Sequence, residues 1–169
     1  MVDRSLQAGG TPHLDEVALL LVEVLAETEL EVDDLGDNRW MTMLSGQYKR
    51  TIPLHLVLGE RSLTVTSMFA STLDGGHREV YELLLHRNQR ARHVHFALDD
   101  EGQLVLVGRM PRAAITGESL QELLGEVLTV ADGAFNAVLR AGFADYIAHE
   151  QAWRERTGQS PNPVTATED

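Results

Sequence analysis

The sequence predicts an α+β fold built on a five-stranded, largely antiparallel sheet, in the chain order helix, three strands, helix, two strands, helix (α-β-β-β-α-β-β-α). Three observations carry that reading. Three segments repeat apolar residues at helical spacing, five short runs alternate with a period of two, and the links between neighbouring runs are short and contain glycine. At 169 residues, 43% of them apolar, the chain is the size of one domain and can bury about 70% of its unfolded surface.

The first helix is expected to open at Thr11, a good N-cap, with Pro12 in its first turn and Asp15 and Glu16 at the positive end of its dipole. Leu14, Val17, Ala18, Leu21, Val24 and Leu25 form its buried stripe. Residues Glu31 to Asn38 read as an acidic turn. Strand-like runs follow at Trp40 to Ser45, Ile52 to Leu58 and Ser62 to Phe69, joined through Gly46 and Gly59. Pro53 cannot donate a ladder hydrogen bond and belongs at a strand's start or on its unpaired side. Asp74-Gly75-Gly76 ends this meander. A second helix runs from about His77 to Arg90 with Val80, Tyr81, Leu84, Leu85 and Asn88 on one side. Two more strands cover residues 93 to 98 and Gln103 to Arg109, reversed at Asp99 to Gly102. The last helix is capped by Thr116 and carries Leu120, Leu123, Leu124, Val127, Leu128, Ala131, Phe135 and Val138, with a break at Gly142 before a final amphipathic stretch. Residues 11–156 read as one domain, with residues 1–10 and 157–169 as flexible tails.

Charge and composition narrow the function classes. Lys and Arg total 14 against 26 Asp and Glu, a formal charge of −12 that repels phosphate backbones, so nucleic acid is not an expected partner. The absence of cysteine removes disulfides and thiolate chemistry and fits a reducing compartment. The longest apolar run, Val17 to Ala26, is too short for a bilayer and contains Glu23, so neither a signal peptide nor a membrane anchor is expected, and the location is cytoplasmic. None of the patterns GxGxxG, GxxxxGK(S/T), GxSxG, HExxH or an EF-hand loop is present, and no cofactor is expected.

Three constellations remain. His93-Val94-His95 would place two imidazoles on one face of a strand, with His55, His77 or His86 as a third metal ligand; sheet-surface histidines without a metal are the plainer reading. Arg87, Arg90 and Arg92 form a positive patch on an acidic protein. They either complement a helix C-terminus or dock an acidic peptide or phosphate. Strand parity puts Trp40, Leu54, Leu56, Val65, Phe96, Leu98 and Leu106 toward the helices. It leaves Met41, Met43, His55, Val57, Thr64, Thr66, Met68, Ala97, Val105 and Val107 on the other face, too apolar to be wholly solvated. Methionines suit surfaces that adapt to partners; the segment from Phe143 to Trp153, or a second copy of the chain, could equally cover them.

Five stretches carry a family resemblance: Lys49-Arg50-Thr51-Ile52-Pro53, Gly59-Glu60-Arg61-Ser62-Leu63, residues 81–88 (YELLLHRN), residues 96–102 (FALDDEG) and Val107-Gly108-Arg109-Met110-Pro111. Over roughly residues 14 to 147 the chain resembles the actinobacterial branch of the YbjN-domain family, described as bacterial sensory transduction regulators. The resemblance implies a type III secretion chaperone-like fold; such chaperones are acidic, often homodimeric, and hold extended segments of client proteins. It brings no catalytic residue to carry over. Met110, where related sequences more often have Leu, and the chain beyond Ile147 depart from the pattern.

The reading that results is a non-enzymatic, cytoplasmic protein-binding module, chaperone-like or regulatory. Met41, Met43, Met68, Val105 and Val107, together with Arg87, Arg90 and Arg92, are its expected partner-binding residues, and a homodimer is an option. The alternative is a small metal-dependent enzyme or regulator using His93 and His95.

Overall fold

Asp15 sets the start of the first helix. Its extended backbone lets its carboxylate accept the Val17 N–H at 3.0 Å, so α1, Glu16–Glu27, begins there and not at the expected Thr11. Thr11 and Pro12, like most of both expected tails, lie outside residues 15–28 and 30–161, which the computed structural model describes. The Asp15 carboxylate also pairs with the Arg112 guanidinium. Ala18, Leu21, Val24 and Leu25 are buried, as their spacing predicts.

Six strands follow where five are expected. They are β1 (Val32–Gly36), β2 (Arg39–Leu44), β3 (Ile52–Leu58), β4 (Ser62–Ala70), β5 (Val94–Leu98) and β6 (Leu104–Pro111). The additional strand, β1, occupies the expected acidic turn. Its residues beyond Val32 are all exposed, so it has no alternation to betray it. Backbone pairing with β2 holds it, and the reversal needs only Asp37 and Asn38, whose φ angles of 53° and 56° fit a two-residue hairpin turn. The sheet order is β1-β2-β3-β4-β6-β5, and every neighbouring pair is antiparallel.

Between β4 and β5, helix α2 (His77–Asn88) buries Val80 and Leu84. It stops two residues before the expected Arg90, and Leu85, expected on its packed side, is 65% exposed. Thr116 caps α3 (Gly117–Gly142) as expected: its hydroxyl accepts the Ser119 N–H while Ser119 accepts the Thr116 N–H. At Gly142, where a Cβ would stand 2.6 Å from Leu73, the chain bends by 84° into α4 (Ala144–Thr157).

The first three helices share one core with one face of the sheet, including Trp40, Leu54, Leu56, Val65, Phe96 and Leu106. Burying each such side chain contributes about 1.5–3 kcal/mol. Leu98, expected in that set, sits at the end of edge strand β5 and is 48% exposed. Met110 is buried, a swap for Leu that conserves volume. Among the described residues no single helix is long and apolar enough to cross a bilayer.

Candidate functional site

Strand register decides what the helix-free face presents. One row of paired residues crosses all six strands: Asp33, Met41, His55, Thr66, Val107 and His95. Beside it lie Met43 opposite Pro53, and Met68 and Ala97 each opposite Val105. On the other side Val57 pairs with Arg39 and Thr64, and Thr64 with Arg109. Apart from Asp33 on the edge strand β1, the two rows hold no acidic residue and no Lys or Arg across a face some 24 Å wide at ordinary strand spacing, and Arg39 and Arg109 stand at its margin.

Met41, Met43 and Met68 are 40%, 48% and 38% exposed. With that exposure the described C-terminal segment, whose α4 packs against α3, does not cover them. Val107 is half-buried, while Val105 is already buried by its neighbours and supplies floor to the face more than accessible surface.

The three arginines lie elsewhere. Arg87 is in the last turn of α2, and Arg90 and Arg92 follow in the loop to β5, on the helix side of the sheet and four strands from β2, roughly 19 Å at ordinary spacing. They therefore do not extend the methionine surface. Instead they line a groove of about 890 Å³ between α2, that loop and α3. Glu126 of α3 fixes the loop: its carboxylate accepts the backbone N–H groups of Arg92 and His93, the latter at 3.0 Å, and lies 3.0 Å from His93 Nδ1. Asn88 accepts the Phe96 N–H at 2.8 Å and donates to the Phe96 carbonyl at 3.1 Å, filling a ladder position on the outer edge of β5. That is a structural pairing.

The expected pair of histidines separates. The His93 ring reaches back to Glu126 on the helix side, whereas His95 alternates onto the open face opposite Val107. His93 precedes β5, so the period-two rule does not govern it. His55 shares the open face with His95 but stands three strands away, roughly 14 Å. Among the described residues no three His, Asp or Glu side chains converge on a point that could hold a metal.

Two parts of these surfaces escape the sequence reading. Glu122, Glu126 and Gly125 complete the arginine groove from α3; the one hint is a glycine inside an otherwise good amphipathic helix, LLGEVL. Asp132, two turns further on, accepts the N–H groups of Tyr48 and Lys49 at 2.7 and 2.8 Å and so holds the β2–β3 loop.

Comparison with known proteins gives a consistent picture. Uncharacterized proteins of Mycobacterium tuberculosis and Mycobacterium bovis are each 38% identical to the chain over 117 residues, 69% of this chain and 64% of theirs. The chain thus spans somewhat less than two thirds of those relatives. One of Mycobacterium leprae is 34% identical over 128 residues, 76% of this chain and 70% of its own length. Among solved structures, a chain in the "Crystal Structure of the ExsC-ExsE Complex" superposes with a TM-score of 0.51 at 20% identity, covering 70% of this chain and 90% of that one. At that identity the likeness speaks for the fold, which is the type III secretion chaperone-like α+β fold that the resemblance implies, with six strands in place of five. The model of the family described as "Putative bacterial sensory transduction regulator" matches residues 13–140, and on that match the chain belongs to the YbjN family.

Proposed function

We propose that the chain is a non-enzymatic protein-binding module, chaperone-like or regulatory, that holds an apolar segment of another protein on the open face of its sheet. The observation that carries this is the pair of rows bearing Met41, Met43 and Met68, each more than a third exposed, with Asp33 at the sheet edge as their one Asp, Glu, Lys or Arg. Helices cover the opposite face, and water alone is a poor partner for so much adaptable apolar surface. Charge at the margins, on Asp33, Arg39 and Arg109, would set the orientation of a bound segment. The structural neighbour is, by its title, a complex of two proteins, ExsC and ExsE, and the family description names regulators. The net charge of −12 argues against nucleic acid, and the lack of cysteine favours a reducing compartment such as the cytoplasm.

Substitution tests the reading. Met41→Lys and Met43→Lys, both at exposed positions, should leave the melting temperature within a few degrees of wild type. They should abolish rebinding of whichever purified protein co-isolates with the wild-type chain. A wild-type dimer that dissociates in these variants would make a second copy of the chain the occupant. Unchanged association and unchanged partner binding would sink the proposal.

A further inference from the structure

We infer that the groove between α2, α3 and the loop into β5 is a second binding site, separate from the sheet face, and that it takes an organic phosphate of about nucleotide size. Three arginines line it, Arg87, Arg90 and Arg92, on a chain that is otherwise strongly acidic. Among the described residues none of the three forms an ion pair. Guanidinium forks match phosphate oxygens in geometry as well as charge. Two carboxylates also line the groove, so its formal balance is 3 − 2 = +1. Glu126 is engaged by the loop amides and the His93 ring. Glu122 remains to accept from a ligand hydroxyl or amino group.

Size and floor argue for an organic body on the phosphate. At about 890 Å³ the groove falls within the range of small-molecule sites and far exceeds a lone phosphate. Leu83, one turn before Arg87 on α2, and Val130 of α3 supply apolar surface beside the arginines. Gly125 is the second, independent observation. It sits inside α3, where glycine is markedly less favourable than alanine. A Cβ there would meet nothing within 4 Å, so neither packing nor a positive φ demands glycine at that position. What its missing side chain does is keep the groove wall open.

Calorimetric titration of the full chain with ADP and with inorganic pyrophosphate tests this. The expected result is saturable 1:1 binding of ADP, tighter than pyrophosphate. Arg90→Ala and Arg92→Ala, both on exposed side chains, should each weaken ADP on the order of tenfold. Gly125→Leu should weaken it at least as much while its melting temperature stays at or above wild type, a combination that lost structure cannot produce. No saturable binding of either probe at millimolar concentration would overturn the proposal. So would ADP affinity indifferent to all three substitutions, pyrophosphate binding as tightly as ADP, or a hexaglutamate peptide binding where ADP does not. None of these results bears on the sheet face, whose test uses other residues.

Discussion

Removing the Glu126 side chain should unfasten the segment between α2 and β5 more than any other single change in that region. The carboxylate receives the N–H groups of Arg92 and His93 and faces His93 Nδ1, and the Glu126 side chain is only 16% exposed. Hydrogen bonds to a charged group contribute roughly 1.5–3 kcal/mol each, but the loop amides regain water once the acid is gone. Glu126→Ala should therefore cost about 2–4 kcal/mol in urea unfolding at an unchanged m-value, and Glu126→Gln, which keeps one acceptor, about half of that. Amide hydrogen exchange supplies the local readout: protection at Arg92 and His93 should fall sharply. The Phe96 amide, which donates to Asn88 instead, should keep its protection. A loss below about 0.5 kcal/mol with unchanged exchange at positions 92 and 93 would refute the reasoning, because a clamp that costs nothing to remove is not a clamp.

Three further outcomes follow from particular side chains. Ser67 is 1% exposed on the core face of β4, and among the described residues its hydroxyl has no partner, so Ser67→Ala should raise stability by about 1 kcal/mol in the same assay. Gly76 has a φ of +58°, and a Cβ there would collide with the Ala141 carbonyl; Gly76→Ala should lower stability by at least about 2 kcal/mol, measured by thermal unfolding. The Lys49 ammonium lies 5.1 and 5.7 Å from the ring centres of Phe135 and Phe69, and burial lowers its pKa from 10.5. The unfolded chain then holds that proton to higher pH than the folded one, so this residue's contribution to stability must rise as pH climbs toward 10.5. The stability of wild type relative to Lys49→Met should increase over that window, and a flat difference would contradict the assignment.

Much of the architecture is legible in the sequence because burial imposes a period. The stripe of α1, the alternation of β2, β3 and β4, and the Thr116 cap all follow from residues that either face the core or cap a helix. The strand β1 is illegible for the complementary reason. Its side chains are exposed beyond Val32, and only backbone pairing with β2 makes it a strand, which leaves no period in the sequence. The same physics explains the open face. Parity alone places Met41, Met43 and Met68 together, but parity says nothing of how far apart two surfaces lie across a sheet. The arginines fall on the helix side of the sheet because α2 packs against β5 and α3 there. His93 misleads in turn, since a residue just outside a strand answers to its tertiary partner, here Glu126 on α3, before it answers to alternation.

The central claim, that another protein occupies the methionine-bearing side of the sheet, is tested most directly by photo-crosslinking in living cells. A light-activated amino acid would stand at position 43, with position 100 in the exposed β5–β6 turn as control. The account predicts a discrete adduct with a different polypeptide from position 43 and none from position 100. Adducts confined to the chain itself, or equal yields from both positions, would contradict it.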